Sequence, residues 1–159
     1  MNLSSLDFDK EFMTLALEEA QHALSKDEVP IGAVIVKDGH VIARAHNLRE
    51  SRHDATAHAE ILALKEACER LKNWRLMGCT IYVTMEPCPM CAGAMQQARL
   101  ARLVYGIADP KAGAAGSVMN VVDEPKLAHR LKITSGVEEE ACRDLINVFF
   151  RRLRVRESG

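Results

Sequence analysis

Two short segments contain residues whose types and spacing suit metal chemistry: His58-Ala59-Glu60 and Pro87-Cys88-Pro89-Met90-Cys91. One histidine and two cysteines can supply three ligands to a tetrahedral zinc ion and leave the fourth position for water. Glu60, close to the histidine in sequence, can then move protons for that water. The pattern therefore predicts a hydrolytic centre, whereas four protein ligands would indicate a purely structural zinc ion.

A single Cys-x-x-Cys pair also occurs in redox sites and as half of a zinc ribbon. A ribbon needs a second such pair, but Cys68, Cys79 and Cys142 are isolated in apolar segments, where we expect small buried side chains. A redox site would need neither His58 nor Glu60. Glu60 alone could be an ordinary glutamate in the first turn of a helix. Beside three metal ligands, a catalytic role for it is the stronger interpretation.

Helix ends are expected to hold this group together. Pro89 favours the first turn of a helix, which puts Cys88 and Cys91 at an N-terminus where the dipole favours thiolates. His58 is predicted to begin a second helix. On an ideal helix His58 and Glu60 are about 200° apart, so they cannot act from one helical face. The metal is therefore expected to cap the helix end.

The surrounding elements predict one domain over residues 1–159, without repeats or linkers. The first helix is expected at 8–25 with Asp7 as its N-cap. Further helices are predicted at about 58–71, 89–99, part of 118–129 and 138–154. Strands are predicted at 33–36, 41–43, 80–84, 103–105 and 132–134.

These elements predict an α/β fold with three α/β/α layers and a mixed five-stranded sheet. Asp38-Gly39 between two apolar runs predicts a two-residue hairpin, so strands one and two should be antiparallel. Helical crossovers should make the remaining strands parallel. The segment before strand five is too long for a hairpin, so strand five is also expected to be parallel.

Composition narrows the class of protein. Hydrophobic residues make up 48% of the 159, enough for a buried core. There is no apolar run of membrane-spanning length, and residues 1–7 are acidic, unlike a secretion signal. Five irregularly spaced cysteines argue against a disulfide framework. We therefore expect a cytoplasmic protein without membrane contact.

The net charge of −1 argues against nucleic acid, but the charge is unevenly distributed. Residues 1–60 contain six Lys or Arg and eleven Asp or Glu, whereas residues 61–159 contain fifteen and eleven. The densest basic run is Arg151, Arg152, Arg154 and Arg156. It suits either a solvated helix end or contact with phosphates.

Longer segments around these motifs resemble the bacterial tRNA-specific adenosine deaminases of the cytidine-deaminase-like superfamily. The resemblance covers nearly the whole chain, and the zinc motif within it is specific to this superfamily. Pro89 departs from it, since relatives commonly have valine there. The similar segments are His58-Ala59-Glu60, Glu86 to Met95, the loop 109–117 (DPKAGAAGS), residues 28–33, Ala45-His46-Asn47 and the tail FFRRLR at 149–154.

The resemblance implies hydrolytic deamination of adenosine to inosine at the wobble position of tRNA, chiefly tRNA-Arg. It implies a homodimer with one zinc ion per subunit, bound by His58, Cys88 and Cys91. It also implies that Glu60 shuttles the protons.

The same resemblance implies contacts with the anticodon stem-loop of the tRNA. It places Asn47 against the flipped-out base and puts Asp109, Lys111 and Arg154 near the anticodon loop. An asparagine amide can donate to and accept from a purine edge, although Asn47 also suits a turn at a strand end.

Apolar residues near these positions have two possible roles. Phe149 and Phe150 could stack on loop bases, but at least one of them is expected in the core. Val118, Met119 and Met95 are expected in the core or at a dimer contact.

Two other functions remain open. The first is deamination of a free base or nucleotide, such as guanine or dCMP. A parallel fifth strand would argue against the small free-cytidine type. The second is a non-catalytic, zinc-stabilised RNA-binding module, which would have no use for Glu60 beside an open metal site.

Overall fold

The computed structural model describes residues 4–158. Residues 1–3 and 159 of the predicted 1–159 domain lie outside the described residues. Helices and strands alternate along the chain. In chain order they are α1 (Ser5–Ser25), β1 (Gly32–Lys37), β2 (His40–His46), α2 (Arg49–Arg52), α3 (Ala59–Leu71), β3 (Thr80–Met85), α4 (Pro89–Gln97), β4 (Arg102–Ile107), β5 (Lys132–Thr134) and α5 (Glu139–Ser158).

The sheet has five strands in the order β2-β1-β3-β4-β5, which confirms the mixed sheet. β3 pairs in parallel with β4, and β4 pairs in parallel with β5. β1 runs against the other four strands, so it is antiparallel to both of its neighbours, β2 and β3. The crossover through α3 therefore joins two parallel strands, β2 and β3, that have β1 between them.

The turn between β1 and β2 is the hairpin that the sequence predicts. Asp38 has a φ of 50° and Gly39 a φ of 76°. A two-residue turn with positive φ at both positions matches the right-handed twist of the strands, and aspartate with glycine tolerates it best.

Helices cover both faces of the sheet, which confirms the three layers. Because side chains alternate along a strand, each strand contributes to two apolar cores. Ile35, Ile81 and Leu103 belong to the core that includes α3 and α4 residues, while Val34 and Val104 belong to the core that includes α1 residues. None of the helices between residues 4 and 158 combines the length and apolar character needed to cross a bilayer.

Two local predictions are wrong. Asp7 is not the N-cap of α1; Ser4 is, and Asp7 returns the bond to it in a capping box. The predicted helix within 118–129 does not form. Pro125 would interrupt its hydrogen bonds, and the side chain of Asn120 instead accepts from the backbone N–H of Asp123.

The topology gathers polar residues at one edge of the sheet. β2, β3 and β4 all end at this edge, and they are followed by Asn47, Glu86 and Asp109. β1, which runs the other way, begins there at Gly32. In open α/β sheets the crevice at the carboxyl ends of the strands is the usual ligand site.

Candidate active site

The three predicted metal ligands lie at the beginnings of two helices. His58 is the N-cap of α3 and Cys88 the N-cap of α4, both with extended backbone, and Cys91 follows in the first turn of α4. Neither capping side chain bonds to the N–H groups of its own helix. Both side chains are therefore available to a metal, and the two positive helix ends converge on it, as predicted.

The distances between the ligand atoms fit zinc. His58 Nδ1 lies 3.6 Å from Cys88 Sγ and 3.5 Å from Cys91 Sγ. In a tetrahedral site, zinc–sulfur bonds of about 2.3 Å and zinc–nitrogen bonds of about 2.1 Å separate nitrogen from sulfur by about 3.6 Å. Among the described residues, this group of three has the spacing to hold a metal ion.

The two thiols differ in acidity. A hydrogen bond with Cys91 lowers the pKa of Cys88 to about 4, although burial opposes the shift. The same bond and burial raise the pKa of Cys91. Hydrogen bonding to Cys88 raises the pKa of His58, against the effect of its burial. These shifts favour the thiolate form of Cys88, and a divalent cation would favour deprotonation of Cys91 as well, because cysteine binds metals as the thiolate.

Glu60 is the buried carboxyl beside this group. It lies in the first turn of α3, two positions after His58. Burial raises the pKa of Glu60 to about 7, with a hydrogen bond from its own backbone N–H and the charge of His58 in opposition. A carboxyl group whose pKa is close to neutrality can both accept and return a proton, which suits general acid–base catalysis.

A cavity of about 420 Å³ opens beside the metal ligands. Cys91 is buried behind it. The structure brings to this one cavity six of the predicted metal-binding, catalytic and substrate-binding residues: Asn47, His58, Glu60, Cys88, Asp109 and Lys111.

Asn47 fills the turn position considered for it and also lines the cavity. Its side-chain oxygen accepts from the N–H of Arg49 at 3.1 Å, and its amide nitrogen donates to the carbonyl of Val29 at 3.3 Å. These bonds fix the turn after β2 and hold the side chain at the cavity wall. An amide has a further donor and acceptor lone pair, which remain for a ligand.

Arg154 is not among the residues that line the cavity. It is exposed near the end of α5, one helical turn beyond Phe150, and Phe150 does line the cavity. The expectation of a core phenylalanine is wrong, because Phe149 is half-buried and Phe150 is 42% exposed. The arginines of residues 151–156 are exposed, and Arg156 pairs with Asp27 there.

The two roles expected for Val118, Met119 and Met95 fall to different residues. Met95 is fully buried in the core, whereas Val118 and Met119 are exposed. The two exposed side chains remain candidates for a contact between subunits.

Sequence reasoning assigned no role to two buried carboxylates, Glu28 and Glu86. Glu28 accepts from the N–H groups of Glu50 and Ser51 at 2.9 and 2.7 Å, and from the Ser51 hydroxyl at 2.6 Å. Glu86 accepts from backbone N–H groups of the loop after β4. Both glutamates lie in segments that resemble the family, and this resemblance was the one sequence signal that could have pointed to them.

A family model described as "MafB19-like deaminase" matches residues 8–154. Together with the three-layer fold and the His-Cys-Cys group beside a buried glutamate, this match defines a deaminase with the cytidine-deaminase-like fold.

Individual relatives narrow the class. The chain is 50% identical over 151 residues to the tRNA-specific adenosine deaminase of Bacillus subtilis, covering 95% of this chain and 94% of that one. A solved structure from studies of A-to-I editing by tRNA:A34 deaminases at the wobble position is 48% identical. Its TM-score is 0.82, with 85% of this chain and 98% of that chain covered. This protein therefore belongs to the family of tRNA-specific adenosine deaminases.

A more distant solved relative has another named substrate. The guanine deaminase of Bacillus subtilis is 33% identical, with a TM-score of 0.61 and coverage of 77% of this chain and 82% of that chain. The fold is thus shared by enzymes named for different purines.

Proposed function

We propose that this protein hydrolyses adenosine to inosine and ammonia at the wobble position of tRNA, chiefly tRNA-Arg, with one zinc ion per subunit. The observation that carries the proposal is the spacing of His58, Cys88 and Cys91, which suits zinc, next to the buried Glu60 in a cavity. The identity to a named tRNA-specific adenosine deaminase over nearly the whole chain supports the substrate.

The chemistry divides between the metal and the carboxyl group. When bound, zinc supplies Lewis acidity that brings the pKa of a coordinated water down to about 7. Glu60 accepts a proton from the attacking water. It then returns protons to the ring nitrogen of adenine and to the departing ammonia, so that oxygen replaces nitrogen on the ring carbon.

The cavity walls supply recognition of the anticodon stem-loop. Asn47 faces the edge of the flipped-out purine, with one donor and one acceptor. Asp109 and Lys111 line the same cavity and contact the neighbouring part of the loop. Arg154, one turn beyond Phe150 on an exposed helix, reaches the phosphates outside the cavity.

The protein acts as a homodimer. Support comes from the α3–α4 side, where a groove is lined by the exposed Trp74 and the half-buried Ile61. Val118 and Met119 in the loop after β4 are also exposed. Exposed apolar side chains that gather at a surface groove commonly mark a protein contact.

We assign the protein to the cytoplasm. All five cysteines are free thiols in the structure. Free cysteines without a disulfide framework are typical of a reducing compartment.

The direct test is mass spectrometry of the wobble nucleoside in purified tRNA after incubation with the protein. We expect inosine to replace adenosine, and a chelator to prevent the change until zinc is added back. Adenosine left intact by the zinc-loaded protein would overturn the proposal.

The likeness to a guanine deaminase gives a second candidate, deamination of a free base. Equal amounts of a transcribed anticodon stem-loop and of free bases, nucleosides and nucleotides, including guanine and dCMP, distinguish the two. We expect ammonia release from the stem-loop. Release from the free compounds alone would favour the second candidate.

A further inference from the structure

We propose that Glu86 is a positioning residue for the RNA substrate. Its buried carboxylate holds the loop 109–117 in the shape that brings Asp109 and Lys111 to the cavity, which in turn lets them meet the substrate. The identity of that substrate rests on the proposed function; the role of the carboxylate rests on contacts within the chain.

Glu86 makes an unusually complete set of hydrogen bonds for a side chain that is 3% exposed. Its carboxylate accepts from the backbone N–H groups of Asp109 at 3.0 Å, Ala115 at 3.0 Å and Ser117 at 3.1 Å. It also accepts from the hydroxyl of Ser117. A buried charge is tolerated when hydrogen bonds replace its water, and here one loop provides them all.

Gly113 allows the loop to close around the carboxylate. A Cβ atom at position 113 would overlap the carboxyl group of Glu86 and the carbonyl oxygen of Asp109. The loop backbone therefore packs directly against the carboxylate, and a side chain at 113 would push them apart.

The carboxylate also joins the loop to the element that carries a metal ligand. Glu86 follows the last residue of β3 and precedes Cys88 by two residues. Backbone bonds add to this connection, because the N–H of Glu86 donates to Ile107 and the N–H of Ala114 donates to Pro87, both at 2.8 Å. The distance between the metal ligands and the loop is consequently fixed at this point.

A second segment of the cavity lining is held in the same way. Glu28 is fully buried and accepts from the first N–H groups of α2, next to Asn47 and Arg49, which line the cavity. Two segments of one cavity lining are thus each held by a buried glutamate. Neither carboxylate has a cation as its hydrogen-bonding partner in these contacts, which indicates that their role is to shape backbone.

Glu86→Gln is the first test. The amide keeps the size of the side chain but turns a donor toward N–H groups that need an acceptor. We expect zinc content to stay at the wild-type level and kcat to stay within about threefold, while KM for the anticodon stem-loop rises about tenfold or more. The dissociation constant for the same RNA, measured by fluorescence anisotropy, should rise in parallel.

Glu11→Gln, an exposed change of the same chemistry on α1, is the matched control and should leave all four quantities unchanged. An unchanged KM and affinity in Glu86→Gln would overturn the positioning role. Loss of zinc from that variant would assign Glu86 to the metal site and also overturn it.

Gly113→Ala disturbs the same contact from the loop rather than from Glu86. If Glu86→Gln does not fold, this variant tests the positioning role in its place. It should raise KM with little change in kcat or zinc content. In the double variant, KM should rise by less than the product of the two single effects, because both changes disrupt one contact. A full product, or an unchanged KM in Gly113→Ala, would contradict the proposal.

The wild-type protein separates this proposal from the proposed function. If the wild-type protein neither binds nor deaminates the stem-loop, the proposed function fails. If it does both and the Glu86 and Gly113 variants match it, only the positioning role fails.

Discussion

The metal ligands and the far end of α5 are built in opposite ways. His58, Cys88 and Cys91 lie on helix ends that the sheet holds in place, and Glu60 beside them is buried. The arginines of residues 151–156 in α5 are exposed, and Arg156 pairs with Asp27 at the surface. Chemistry at a metal needs fixed distances, whereas attraction to phosphates acts over several ångströms and tolerates motion.

This difference predicts where substitutions matter. We expect changes at the predicted metal ligands to remove activity. Changes at Glu28 and Glu86 should distort the loops that line the cavity and so weaken activity or stability. A change at the exposed Arg154 should alter only RNA binding.

The largest effect is expected from Cys88→Ser. Serine lacks the thiolate that the site supplies most readily, so the zinc content measured by elemental analysis should fall from one per subunit toward zero. Deamination should become undetectable. A Cys88→Ser variant that kept both zinc and turnover would show that Cys88 is not a ligand. The metal group would then tolerate substitution as well as the exposed end of α5 is expected to.

Glu60→Ala should nearly match that loss of activity without the loss of metal. General acid–base groups contribute about 10²–10⁴-fold to rate, and kcat should fall by this order. Zinc content and affinity for the stem-loop should change little, as measured by elemental analysis and anisotropy. Wild-type turnover in this variant would contradict the mechanism, and turnover absent from the wild-type protein as well would favour the RNA-binding module.

Glu28→Gln should have an intermediate effect, on stability. Burial raises the pKa of Glu28, but hydrogen bonds from Ser51 and Glu50 outweigh it and leave the pKa below its ordinary value. A lowered pKa stabilises the fold at pH values above the ordinary pKa, and this stability is lost as the pH falls through the folded-state pKa.

Urea unfolding measures this effect. The variant should lose about 1–3 kcal/mol of unfolding free energy at pH 7, since buried donors lose their acceptor. Its deficit should shrink in acid. A deficit that is equal at pH 7 and pH 4 would contradict the charge-dependent role of Glu28.

The smallest effect is expected from Arg154→Ala. If this arginine contacts one phosphate, KM should rise about two- to fivefold with kcat unchanged, and the slope of log affinity against log salt should lessen by about one. Lys10→Ala on α1, which removes an exposed positive charge, is the control and should leave the slope unchanged. If the salt dependence of affinity in Arg154→Ala has the same slope as in the wild-type protein, Arg154 does not contact a phosphate of the RNA.

Several parts of the structure could be predicted because short segments encode them. Asp38-Gly39 specifies its hairpin through positive φ at both residues. Pro89 specifies a helix start, and the two cysteines beside it are placed in that first turn as the sequence predicts. The strand at 132–134 and its parallel pairing follow from the long segment before it.

Other features depended on partners that are distant in sequence. The insertion of β1 between β2 and β3 is a choice among strand orders that local patterns do not distinguish. The role of Glu86 depends on N–H groups 23 to 31 residues later in the chain. The exposure of Phe150 depends on which elements folding packs against α5, and helical periodicity does not reveal them.

By itself, the sequence predicted that His58, Cys88 and Cys91 form a group able to hold a metal ion, with Glu60 beside it, because metal chemistry permits few residue types at few spacings. The tertiary structure alone decided that two further glutamates shape the walls of the cavity and that Arg154 lies outside it. The physical reason is that ligand preference belongs to the side chain itself. A buried carboxylate acquires its role only from the donors that folding brings to it.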